Sequence, residues 1–188
     1  MKERYAIVTK EILSTIALVG IIVVASTSPY FLINIARAII RNKKYNTSKA
    51  NEQKIVRALR RLKANSLIIL KEKEDGNFMV QITDKGKKKV EEINIEKLEI
   101  KKQDIWDKQW RIIIFDIPEN RKRGRDALRQ KLRELHFYQL QKSVFVCPYP
   151  CEKEVHFLCE FFDISPFVNI ITAGSIYNDI RVKNFFDL

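Results

Sequence analysis

Hydrophobic and polar positions change rhythm along this 188-residue chain, and the changes mark out its elements. No residue from Ile12 to Ala36 is charged, and Ile16–Ala25 is densely apolar. This run predicts a first helix over 12–26. Pro29 ends it, since proline cannot continue a helix, and Tyr30–Arg41 is expected as a second. Asn42–Lys49 reads as a polar turn. From Asn51 to Asn65, Ile55, Leu59 and Leu62 recur at i, i+4 and i+7, which predicts a third helix with one buried stripe. Lys54, Arg57, Arg60 and Arg61 share the rest of its surface.

The pattern then becomes that of strands. Leu67–Lys73 and Phe78–Ile82 are β-prone runs joined by Glu74-Asp75-Gly76-Asn77, and Asp-Gly between such runs predicts a hairpin. Thr83 is placed to cap a helix over Asp84–Ile93 that carries Lys85, Lys87, Lys88 and Lys89. Three helices, a hairpin and a closing helix predict a winged helix-turn-helix domain over residues 1–93. Residues 94–109 show no periodicity and read as a linker, with Asp104 and Asp107 facing solvent.

A second domain is expected over 110–188. Trp110–Asp116 reads as a strand and Arg121–Leu135 as a helix capped by Asn120. Phe137–Cys147 is one long strand or two joined by a bend. Glu152–Phe162 follows as a helix and Phe167–Ala173 as the last strand. Strand, helix, two strands, helix, strand is the order of a ferredoxin-like βαββαβ domain. The fold class is therefore α+β. On the first helix of this domain Leu128, Leu132 and Leu135 face the sheet, while Lys122, Arg125, Arg129 and Arg133 form a neighbouring stripe.

Charge narrows the function. A net charge of +12 favours a polyanionic partner. Residues 1–100 hold 20 Lys/Arg against 11 Asp/Glu, and residues 101–188 hold 15 against 12, so the excess concentrates in the first half. The three cysteines, Cys147, Cys151 and Cys159, fit a reducing cytoplasm. Cys147 and Cys151 lie near His156, but their spacing matches no common zinc finger, and buried thiols are expected instead. Residues 12–28 approach the roughly 20 apolar positions of a membrane span. A buried helix is the expectation there, with a membrane anchor as its alternative.

The densest chemical signal is Trp110-Arg111-Ile112-Ile113-Ile114-Phe115-Asp116-Ile117-Pro118-Glu119. An apolar strand runs into one acid, proline ends it, and an arginine-rich helix begins. With Leu140-Gln141-Lys142-Ser143-Val144-Phe145, this stretch resembles the small ferredoxin-like CRISPR-associated spacer-acquisition protein, the second of the Cas proteins. It resembles more closely the central domain of PaaX-like repressors, transcription factors of phenylacetate catabolism, which also place a winged helix before that domain. PaaX repressors carry a further C-terminal domain, whereas this sequence stops at Leu188, so their effector sensing is not carried over. The CRISPR protein generally lacks a winged helix.

The resemblance implies that Asp116 lies near a dimer twofold, where two such carboxylates share a Mg²⁺ ion. One carboxylate is too little to hold Mg²⁺, whereas two with waters and phosphate oxygens suffice. Glu119 is the only nearby acid, and His136 reads as solvated or structural rather than as a base. Asp116 alternatively caps the following turn through backbone amides. The expected function is double-stranded DNA binding by a homodimeric transcriptional regulator, with no cofactor required. Expected contacts are Lys54, Arg57, Arg60 and Arg61 on the third helix, Lys71, Lys73 and Asn77 on the wing, and Lys122, Arg125 and Arg129 on the arginine helix. The alternative is a Mg²⁺-dependent endonuclease or spacer-acquisition subunit using Asp116.

Overall fold

A computed structural model describes residues 2–19, 21–24, 35, 49–72 and 77–188. The chain is a mixed α+β protein with two antiparallel sheets, divided into a unit ending at Glu96 and a unit beginning at Lys97.

The first unit contains α1 (Lys2–Val19), β1 (Ile21–Val24), α2 (Lys49–Ala64), β2 (Ile68–Glu72), β3 (Phe78–Ile82) and α3 (Asp84–Glu96). The single helix expected over 12–26 is corrected: α1 ends at Val19, and Ile21–Val24 is a strand. Four consecutive β-branched residues favour a strand, and this one pairs antiparallel with β3, Ile21 opposite Gln81 and Val24 opposite Phe78. β2 pairs with the other edge of β3, giving the order β1-β3-β2. The expected second helix, Tyr30–Arg41, and the turn after it lie outside the described residues except for Ile35, which is buried, and Lys49, which opens α2. No helix among the described residues is long and apolar enough to cross a membrane.

The core of this unit joins Ile12, Leu13 and Ile16 of α1 to Ile55, Leu59 and Leu62 of α2, with Ile68, Val80 and Ile93. Full burial of each such side chain contributes roughly 1.5–3 kcal/mol. Thr83 caps α3 as expected, its Oγ1 accepting the Gly86 N–H at 2.9 Å. Gly86 sits against backbone: a Cβ there would lie 2.1 Å from the Leu67 carbonyl oxygen.

The second unit contains β4 (Trp110–Phe115), α4 (Lys122–Glu134), β5 (Tyr138–Gln141), β6 (Val144–Cys147), α5 (Glu152–Phe161), β7 (Val168–Ala173) and α6 (Ile180–Phe186). Its sheet order is β5-β6-β4-β7. β4 is central, with Ile113 opposite Phe145 of β6 and Ile170 of β7. Asn120 does not cap α4. It lies in a 3-10 turn over Glu119–Arg121, and Arg121 holds the cap position without a side-chain bond.

Residues 97–109, expected as linker, group with this second unit. Trp106 packs on Trp110 with ring centroids 4.7 Å apart. Asp107 is exposed, as expected, and is also paired with Arg111. Alternation along β4 points Arg111, Ile113 and Phe115 to one face and Trp110, Ile112 and Ile114 to the other. The second face is covered at its Trp110 end by Val182 and Phe186 of α6. Towards the other end Ile114 and Ile171 remain exposed.

Candidate nucleic-acid interface

The basic residues of α2 take their positions from its apolar stripe. Ile55, Ala58, Leu59 and Leu62 are buried, and a 3.6-residue period turns Arg57 and Arg60 directly away from them. Lys54 and Arg61 flank that outer face on one side. All four are exposed. Lys54, Arg57 and Arg61 also line a cleft of about 350 Å³ with Val8 and Thr9 of α1. The result is one contiguous cationic arc on a helix whose other side is anchored in the core. Lys71 is exposed on β2, and Asn77, half-buried, precedes β3. Lys73 lies outside the described residues.

The arginine stripe of α4 is placed quite differently. Arg125 donates from Nη1 to the Ile117 carbonyl at 3.0 Å and from Nη2 to Glu119 Oε2 at 2.8 Å. Arg129 donates from Nε to the Lys142 carbonyl at 3.1 Å and from Nη2 to Ser143 Oγ at 3.3 Å. Its guanidinium lies 5.7 Å from the Phe115 ring centre. Arg133 donates to Gln139 Oε1. Arg125 and Arg129 therefore tie α4 to the turns after β4 and β5, and Arg133 ties it to β5 itself. Lys122 and Arg133 are exposed, Lys122 with Glu119 Oε1 at 3.7 Å.

Asp116 follows β4 directly and is exposed. Its backbone N–H donates to the Phe167 carbonyl at 3.0 Å, which fixes the strand end against β7. Its carboxylate makes no hydrogen bond or ion pair among the described residues. Glu119, its expected companion, is committed to Arg125 and Lys122, and the Arg125 hydrogen bond holds its carboxyl below the usual range. Among the described residues no group of three His, Cys, Asp or Glu side chains is arranged to hold a metal. One copy of the chain therefore does not fit a Mg²⁺ site at Asp116. Cys147, Cys151 and His156 are likewise not arranged as such a group. Both cysteines are buried, while His156 is exposed.

Arg111 is a site that the sequence reading missed. It lies on central strand β4 and is only 7 % exposed. Nη1 and Nη2 bind Asp107 Oδ1 and Oδ2 at 2.8 and 2.6 Å. Nη1 also donates to the Pro148 carbonyl at 3.1 Å, and Nε lies 3.5 Å from Glu152 Oε1. This clamp draws residues before β4 and after β6 onto the central strand.

Residues 103–182 match the family model of the PaaX protein central Cas2-like domain. The match supports a PaaX-like family for this chain. The match begins before β4, so the matched residues include Asp107 with its partner Arg111. It spans the Asp116 strand end and the clamped arginines of α4. No curated protein matches the chain.

Proposed function

We propose that the chain is a PaaX-like transcriptional regulator that binds double-stranded DNA as a homodimer. The observation that carries this reading is the exposed arc of Lys54, Arg57, Arg60 and Arg61 on α2. Several elements around it support a winged helix-turn-helix: a strand between the first helix and α2, a hairpin after α2, and the order β1-β3-β2. In that arrangement α2 enters the major groove, where its cations meet phosphates and a few side chains read bases. Lys71 and Asn77 reach the adjacent backbone, with Lys73 as a further candidate phosphate contact.

The second unit supplies the dimer contact in this proposal. Its order β5-β6-β4-β7 is that of a ferredoxin-like sheet, and Ile114 and Ile171 leave an apolar strip on the uncovered face. Pairing two such faces removes that strip from water and links two DNA-binding units in one molecule. Lys122 remains a candidate phosphate contact, whereas Arg125 and Arg129 act first as clamps.

A metal-dependent endonuclease remains a second reading, because the Asp116 carboxylate is exposed and unpaired among the described residues. It requires the twofold-related Asp116 of another copy to complete a Mg²⁺ site. A gel assay of duplex binding and cleavage, using wild type and Asp116→Ala with and without Mg²⁺, separates the two readings. The regulator binds without metal and without Asp116. The nuclease cuts only with both.

A further inference from the structure

The second unit encloses a cavity of about 510 Å³, a size typical of sites for small organic molecules. One side is the segment from Leu98 to Lys102, which precedes the residues matched by the family model. Another is Phe185, Phe186 and Asp187, which follow them. The cavity is therefore built largely by parts of this chain that the match does not cover, and nothing in the proposed DNA-binding role uses it.

Its wall is aromatic. Tyr149 meets Phe186 edge to face with ring centroids 6.4 Å apart, and Phe185 meets Phe186 in the same way at 4.9 Å. Tyr149 is only 9 % exposed, yet its hydroxyl makes no hydrogen bond among the described residues. The sealed side-chain atoms without a partner there are Trp110 Nε1 and Arg125 Nε. The Tyr149 hydroxyl therefore keeps an opening, which the cavity supplies.

The charge around this wall is mainly negative. Glu99 and Asp187 line the cavity, and their carboxylates make no hydrogen bond or ion pair among the described residues. Glu134 lines it as well, with Lys131 Nζ 3.2 Å from one oxygen. Lys102 is the opposing free charge. Both α4 and α6 end at the cavity, so the negative poles of two helices add to the carboxylates.

We infer that this cavity is a binding site for an organic cation, a protonated amine carried on an aromatic body.

The aromatic body packs against Phe185, Phe186 and Tyr149, where ring–ring contacts favour edge-to-face and offset arrangements. The ammonium group is attracted by the ring faces and by Glu99 and Asp187, and it donates an N–H to the unpartnered Tyr149 hydroxyl. An anion of the same shape meets two free carboxylates and two negative helix ends, with Lys102 alone in its favour. The sign of the ligand's charge is thus the property this site reads.

The test follows the amide NMR resonances of the isotope-labelled full chain during titration with phenylpropylamine, phenylpropanol and phenylpropionate. These probes share one body and carry a positive, zero and negative charge. The amine is expected to shift residues 98–102 and 185–187, with a Kd at least about tenfold below that of the propionate and the alcohol between them. The Glu99→Gln/Asp187→Asn double variant is expected to bind the amine at least about fivefold more weakly and the alcohol within about twofold of wild type. Both positions are exposed, and asparagine accepts the left-handed backbone of Asp187, so the fold is kept. Lys102→Gln is expected to tighten the amine, which loss of structure would not do. No shift at these residues with the amine up to about 10 mM overturns the assignment. So does equal affinity for the three probes, or wild-type amine affinity in the double variant. None of these outcomes involves DNA, so each leaves the regulator reading where it stands.

Discussion

Arg111 and Asp107 form a two-point ion pair, guanidinium to carboxylate, across the start of β4. The Arg111 hydrogen bonds hold the Asp107 carboxyl below its usual range, against a smaller opposing effect of burial. Asp107→Asn leaves Arg111 buried with half its charge partners. Because Asp107 is partly exposed, the expected loss is about 1–2 kcal/mol rather than that of a sealed pair. Denaturant unfolding followed by the fluorescence of Trp106 and Trp110 measures it.

The same pair has a pH signature. A carboxyl whose folded pKa lies below its unfolded value stabilises the fold above the unfolded value. That contribution disappears as the pH falls through the folded value. Stability of the wild type should therefore decline below about pH 4. Asp107→Asn should lack that part of the decline. Parallel acid limbs for the two proteins would contradict the assignment.

Gly86→Ala tests the first unit separately. The new methyl meets the Leu67 carbonyl and Ile82, and backbone cannot yield as a flexible side chain does. A loss of roughly 1–3 kcal/mol is expected. Both tryptophans lie in the second unit. Circular dichroism should show an early transition in this variant while the tryptophan transition stays in place.

The α4 arginines are expected to behave as structural groups. Arg129→Ala loses bonds to the turn after β5 and the Phe115 ring contact, at about 1–2 kcal/mol. Arg129→Lys should not restore it, because an ammonium cannot serve the Lys142 carbonyl, Ser143 and the ring in one plane. Thermal melts of the two variants and duplex affinity measured below their transitions separate a clamp from a phosphate contact. The clamp predicts lowered melts with affinity within about threefold of wild type.

The elements legible in the sequence were those fixed by local pattern. The Ile55-Leu59-Leu62 stripe determines which side of α2 is buried, and so which cations are outside. The Phe78–Ile82 strand, the Thr83 cap and the succession from Trp110 to Ala173 follow from runs and breaks along the chain. What escaped depends on distant partners. Ile21–Val24 reads as helix until β3, more than fifty positions later in the chain, offers it an edge. Gly20 before four β-branched residues was the available signal. Arg111 was not singled out, because nothing in the spacing announces that Asp107 and the Pro148 carbonyl converge on it. The α4 arginines were recognisable as a stripe, but their acceptors are carbonyls and side chains of the following turns and of β5, which composition does not display. At seven residues, α6 is too short for periodicity to declare.

The central claim is that the α2 cations contact DNA phosphates, and the salt dependence of duplex affinity tests it most directly. Fluorescence anisotropy with a labelled duplex across a salt series compares wild type with the Arg57→Ala/Arg61→Ala double variant. Both positions are exposed, so the fold should be kept, and a thermal melt checks this. Phosphate contact by these two arginines predicts at least roughly tenfold weaker binding at about 100 mM salt, and a logarithmic salt slope shallower by about two. A folded double variant with wild-type affinity and wild-type slope would contradict it.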